Sequence, residues 1–85
     1  MEESSHLAKI RYQCRRGMLE LDVFLPQYFE SQYSSMKASK KRLFEQLLEE
    51  PDPDLFAWLM GFDDCKPPYK ELVTEIRQFQ LQRQL

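Results

Sequence analysis

Asp52-Pro53-Asp54-Leu55-Phe56-Ala57-Trp58-Leu59-Met60-Gly61 reads as a helix with both of its ends specified. Asp52 suits the N-cap, and Pro53 suits the first helical position, where no N–H is needed. Asp54 sets a second carboxylate against the positive helix end. Gly61 supplies the left-handed residue that stops a helix. Between these signals stand Leu55, Phe56, Trp58, Leu59 and Met60, an apolar face that needs a partner surface. Trp58, set among such neighbours, is expected in the core rather than at an interface.

Working outward, the same 3.6-residue spacing recurs on both sides. Asp63 to Pro68 reads as a loop. Pro67 or Pro68 is expected to open a last helix that places Tyr69, Leu72, Val73, Ile76 and Phe79 on one side. Upstream, Ser39 precedes a segment whose Leu43/Phe44 and Leu47/Leu48 pairs share a face. Its cations Lys40, Lys41 and Arg42 come first and its acids Glu49 and Glu50 last, an order that opposes the helix dipole. A further stripe runs Met18, Leu21, Leu25, Tyr28/Phe29 and Met36. Pro26 lacks an N–H and disfavours helical geometry at Leu25, so the spacing predicts short helices over about 18–24 and 26–36, or one kinked element. Ser4 or Ser5 is expected to cap a first helix reaching about Arg15, with Leu7, Ile10 and Cys14 inward and Gly17 at its end. No period-2 run of β-branched residues and no Asn-Gly or Asp-Gly hairpin occurs. The fold class expected is all-α, a compact bundle of about five short helices forming a single domain over residues 1–85, with 1–4 and 81–85 frayed.

Composition narrows the function classes. In 85 residues, with 42% of them apolar, there is material for one small core. Folding at this size removes roughly 60–65% of the chain's surface from water. No apolar run approaches the roughly 20 residues of a membrane span. The opening Met1-Glu2-Glu3-Ser4-Ser5 has neither a secretory h-region nor an Arg-rich, acid-poor transit character, so a cytoplasmic location is expected. A net charge of −2 argues against a nucleic-acid partner, whose phosphates demand cations. Cys14, Cys65 and His6 are the only Cys and His, one short of the four ligands of a structural zinc site. They offer no nucleophile–base set either, so no catalytic and no metal-binding residue is assigned. Charge is nevertheless polarised: Lys9, Arg11, Arg15 and Arg16 mark the first helix, whereas Leu43 to Cys65 holds seven acids and no cation. Such polarity steers encounters with a complementary partner.

The segment Arg15-Arg16-Gly17-Met18-Leu19-Glu20-Leu21-Asp22 gathers a cation, a bare backbone step and an anion at one helix–helix corner. Gly17 lets the backbone approach another surface closely. Arg16 offers a planar fork for a carboxylate or phosphate. Glu20 and Asp22 lie near the exposed N–H groups of the next helix. Ordinary capping explains the same residues: a terminal glycine, with charges matched to the two dipoles.

Arg16-Gly17-Met18-Leu19-Glu20 also resembles the RGxxE signature of the SdhE/YgfY family, small factors for the flavinylation of succinate dehydrogenase. Asp52-Pro53-Asp54-Leu55-Phe56-Ala57-Trp58-Leu59 is similar to that family's second block, D-x-D-L-x-x-W-L. The likeness includes the opening Cys14-Arg15-Arg16-Gly17-Met18 and runs from about Lys9 to Met60. It implies a five-helix fold and an assembly factor rather than an enzyme. Its partner would be the flavoprotein subunit of succinate dehydrogenase, and in some bacteria that of fumarate reductase. FAD would be the group attached to that subunit. The partner-binding residues implied are Arg16, Gly17 and Glu20, with Arg16 and Glu20 ordering groups near the flavin site, and the contact extended by Arg15, Arg11, Tyr12 and Asp22. A monomer that binds no FAD tightly is expected, since no Gly-rich dinucleotide fingerprint follows a strand. The rival reading is an antitoxin-like or regulatory protein-binding module that uses the same surface without flavin; a flavin carrier is a further alternative.

Overall fold

Five α-helices and two short 3₁₀ turns, with no strand, make up the described residues of the computed structural model, which covers the backbone of residues 2–84 and the side chains of residues 5–82. In chain order they are α1 (Glu2–Gln13), α2 (Leu19–Gln32), a 3₁₀ turn (Tyr33–Ser35), α3 (Ala38–Leu47), α4 (Asp52–Met60), a second 3₁₀ turn (Pro67–Tyr69) and α5 (Lys70–Gln84). The all-α bundle expected from the spacing is therefore the fold. α2 packs against both α4 and α5. The core between the helices is built from Ile10, Cys14, Leu21, Leu25, Phe44, Leu47, Leu55, Leu72 and Ile76. Trp58 joins it as expected, its ring 6.2 Å from that of Tyr69.

The boundaries differ from expectation in instructive places. α1 already includes Ser4 and Ser5 rather than being capped by them, and it ends at Gln13. Of the two forms expected around Pro26, two short helices or one element, α2 takes the single element and runs through the proline. Proline inside a helix costs about 3 kcal/mol, but Leu21, Leu25, Tyr28 and Phe29 on either side of Pro26 all bury themselves, and each such burial returns about 1.5–3 kcal/mol. Packing overrides the local preference at Leu25. Pro67 and Pro68 open a 3₁₀ turn, and α5 follows it. α5 also continues to Gln84, through most of the stretch expected to fray; Met1 and Leu85 lie outside the described residues.

α4 starts one residue early, with Pro51 as the N-cap; the Pro51 carbonyl accepts from the N–H groups of Asp54 and Leu55. Asp52 is thus a first-turn residue whose carboxylate is free for another task. Gly61 ends α4 at φ +77°. The Phe62 N–H donates to Ala57 O at 2.8 Å and the Gly61 N–H to Trp58 O at 3.2 Å, the paired bonds of a Schellman cap.

The unfavourable charge order of α3 is answered by tertiary contacts. Lys40 pairs with Glu75 of α5, and Lys41 lies over the Tyr33 ring at 5.2 Å. Glu45 accepts from the Tyr33 hydroxyl at 2.7 Å, and His6 Nε2 stands 3.3 Å from the same carboxylate. Around Phe44 the rings of Tyr28, Phe29 and Tyr33 close an aromatic cluster, with centroids 5.9 to 6.4 Å from its own.

Both thiols are free, Cys14 fully buried and Cys65 partly so. Burial pushes the Cys14 thiol up to about 12 from an ordinary 9.0. The unfolded chain therefore sheds this proton first, and the stabilising contribution of the retained proton fades between pH 9.0 and about 12. Urea midpoints are expected to fall across that window, less steeply in Cys14→Ala, and iodoacetamide is expected to label Cys65 well before Cys14. At Gly61, alanine would carry left-handed strain of roughly 1–2 kcal/mol, with its Cβ 2.9 Å from the Arg77 Nη2. Gly61→Ala should lower the unfolding free energy by that amount, read as a lower urea midpoint with an unchanged m-value.

Candidate functional site

The α1–α2 corner is a tight linker, Cys14 to Met18. Cys14 N–H is shared between Ile10 O and Arg11 O, and Arg15 N–H donates to Tyr12 O, which tightens the end of α1 into a 3₁₀-type turn. Gly17 then turns the chain at φ +81°, three residues beyond the position expected of a simple helix stop. Met18 is extended, and its carbonyl accepts from Asp22 N–H at 3.0 Å to start α2.

Arg16 faces inward. Its side chain is only 16% exposed, and its guanidinium makes four hydrogen bonds within this chain. Nε donates to Asp52 Oδ1 at 2.7 Å. Nη1 donates to Leu48 O at 2.6 Å and Gln13 O at 3.1 Å, and Nη2 to Glu50 O at 3.0 Å. One fork thus caps the carbonyl end of α1, satisfies two carbonyls beyond the last turn of α3 and neutralises the first-turn carboxylate of α4. Asp22 also turns inward, its Oδ1 accepting from the Arg16 backbone N–H at 2.7 Å. The two sequence blocks, one around Arg16 and the other beginning at Asp52, meet in a single ion pair. Asp52 carried a legible helix-start signal in the sequence; its second role as the acceptor for Arg16 lies 36 residues away and had none.

The outward face is made by other residues. Gly17 is exposed, and a Cβ built on it meets nothing within 4 Å, so neighbouring atoms do not demand glycine; only the positive φ does. Arg15 and Glu20 are exposed, with no hydrogen-bond or ion-pair partner among the described residues. Tyr12 is 77% and Leu19 76% exposed, two large apolar groups left to solvent beside the charges. Leu19 was missed in the sequence because it continues an apolar-looking run; its register on α2 turns it away from Leu21 and Leu25. Arg11 is committed within the chain, paired with Glu30 and lying 5.4 Å over the Phe29 ring. Of the seven residues expected at the contact, the structure therefore turns Tyr12, Arg15, Gly17 and Glu20 outward. Arg16 and Asp22 brace them from behind, and Arg11 is tied to α2.

A lysine in place of Arg16 would keep the charge but could not span four acceptors from one nitrogen. Arg16→Lys is expected to lower stability by about 1–3 kcal/mol, read from urea unfolding by Trp58 fluorescence. Arg15→Lys should stay within about 0.5 kcal/mol of the parent. Equal losses in the two variants would contradict the inward placement.

With this geometry in hand, comparison with known proteins is direct. Residues 8–80 match the sequence model of a family described as flavinator of succinate dehydrogenase. The FAD assembly factor SdhE of Coxiella burnetii is 40% identical over 79 residues, covering 92% of this chain and 96% of that protein. The FAD assembly factor SdhE of Shewanella oneidensis is 42% identical over 76 residues, 88% of this chain and 93% of the other. That of Vibrio cholerae is 47% identical over 66 residues, 78% and 77% respectively. The likeness covers both the braced corner and the α4 helix that braces it: this chain belongs to the family of flavinators of succinate dehydrogenase.

Proposed function

We propose that this chain is an assembly factor that binds the flavoprotein subunit of succinate dehydrogenase and promotes covalent attachment of FAD to it, with the fumarate reductase flavoprotein as a second client. The observation that carries this reading is the outward face of the corner, where unpaired Arg15 and Glu20 and exposed Tyr12 and Leu19 surround a glycine with open space above it. Desolvating a charge that has no partner is unfavourable unless another surface supplies one. Tyr and Arg are the residue types that anchor protein interfaces.

The mechanism is a shift of population. Binding the client in the conformation that holds its own nucleophile against the flavin raises the occupancy of that conformation by the difference in affinity between its two states. Flavin and client supply the bond-forming chemistry. This chain supplies orientation: Arg15 and Glu20 fix the facing groups by charge, and Gly17 allows the approach. FAD is carried by the client, since the corner offers exposed side chains suited to a broad contact rather than an enclosed cradle. The factor itself then works without catalytic residues, as one copy per client.

None of the described helices is long and apolar enough to cross a membrane.

Covalent flavin fluorescence of the dehydrogenase subunit in denaturing gels, with and without the chain, tests the proposal. Gly17→Arg should reduce flavinylation by at least about tenfold while far-UV helicity is retained, because the new side chain occupies the approach path and not the core. Gly17→Asn, which tolerates the left-handed conformation and is smaller, should retain more activity than Gly17→Arg. Normal flavinylation with folded Gly17→Arg would remove the corner from the mechanism.

A further inference from the structure

Among the described residues the large apolar side chains left exposed are Tyr12, Leu19, Met60, Phe62 and Leu81. Phe62 has the Phe56 ring beside it at 5.7 Å, and Met60 and Leu81 line one hollow together. Tyr12 and Leu19 instead flank Gly17. A single exposed leucine is ordinary on a protein surface, but Leu19 is held outward in a way the others are not. It is the first residue of α2. Met18 before it is extended and turns its own side chain against the core. Leu21 after it is fully buried, and two residues along a helix are roughly 200° apart, so burying Leu21 points Leu19 at solvent. The backbone on either side is pinned as well. Asp22 N–H donates to Met18 O at 3.0 Å, and the Asp22 carboxylate accepts from Arg16 N–H at 2.7 Å. Leu19 therefore cannot withdraw into the core without a slip of the whole helix.

Magnitudes decide what such a side chain contributes to docking. An exposed charge pair of the kind Arg15 or Glu20 could form is worth at most about fivefold in affinity, whereas covering an exposed leucine is worth roughly tenfold or more. A side chain whose backbone is already fixed also loses little entropy when it docks. Tyr12, across the glycine, can keep its hydroxyl in water; Leu19 has no polar atom and gains most from being covered. We propose that Leu19 is the apolar anchor of the corner: it enters an aliphatic recess of the client flavoprotein subunit, whose rim sets a carboxylate against Arg15 and a cation against Glu20. The open space over Gly17 lets that rim approach closely enough to cover a side chain two residues further on. The charges then set the register of docking, and the leucine supplies most of its strength. This role rests on the flavinylation reading and gives the client's facing surface its chemistry.

Titration calorimetry of the full chain against the purified apo flavoprotein subunit of succinate dehydrogenase, at low and at high salt, tests this role. Leu19→Ser should weaken binding by at least about tenfold at both salts, with the helicity and urea midpoint of the parent because the residue is exposed. Leu19→Met keeps an apolar side chain and should recover most of that loss. Arg15→Gln should lose at most about fivefold, and the loss should shrink at high salt. Leu81→Ser removes another exposed leucine, on α5, and should bind as the parent does. The anchor is overturned by full affinity in Leu19→Ser, by Leu19→Met binding as weakly as Leu19→Ser, or by an equal loss in Leu81→Ser. It is also overturned if the chain alone self-associates with rising concentration and Leu19→Ser does not, since a second copy would then be what covers the leucine. A parent chain that fails to bind the subunit would sink the flavinylation reading and the anchor with it; equal binding by the parent and Leu19→Ser removes the anchor alone.

Discussion

The guanidinium of Arg16 ties together three helix ends whose polar backbone groups the apolar core leaves without partners. Helices of nine to twelve residues leave a large share of their backbone groups unsatisfied at the termini. Around Arg16 these are the carbonyls of Gln13, Leu48 and Glu50, and the balancing charge is the Asp52 carboxylate. The planar fork meets all four at once, from 2.6 to 3.1 Å. An ammonium would have to choose among them. This contact also fixes the end of α1 relative to the start of α2, because the Arg16 N–H is itself held by Asp22. The position of Gly17 follows from bonds on the residue before it.

That arrangement separates two adjacent arginines into different roles. Arg16 commits four of its five N–H donors inside the protein. Arg15, one residue earlier, points outward with its donors free among the described residues. The local electrostatics agree: on the inner side cation and carboxylate neutralise each other, and on the outer side Arg15 and Glu20 present opposite charges to whatever docks. A surface patterned in both signs selects a partner by register rather than by net charge. This suits a chain whose overall charge is only −2.

Much of the fold was legible because its signals are local. Gly61 and Pro53 mark the bounds of α4 to within one residue, and the stripes through Leu55, Leu72 and Phe44 face the core as their spacing demands. Pro26 misled because its penalty is local whereas the compensation comes from tertiary burial of Leu25 and Phe29. The corner was half legible. Glycine, neighbouring charges and their order mark it in the sequence, but which arginine turns inward is decided by carbonyls 32 and 34 residues away. No periodicity or capping rule reports a bond of that separation. The exposure of Leu19 was hidden for a related reason: an apolar residue type indicates burial, and only the helix register shows that it misses the core.

The action proposed for this small chain on a large client calls for a rigid corner. A flexible tip would lose conformational entropy on docking, and that loss would offset the affinity difference available to shift the client between its states. Here the ordering is completed during folding. The left-handed turn at Gly17 is enclosed by Arg16 and Asp22 on the inside, with empty space on the outside. The strain that any other residue would add at φ +81° is avoided, and the surrounding hydrogen bonds do not need to rearrange when a partner arrives. The same bonds that hold the ends of three short helices therefore also fix the corner that the proposed function offers to a client. Weakening Arg16 would be felt at Arg15 and Glu20, because its bonds set the corner on which they stand.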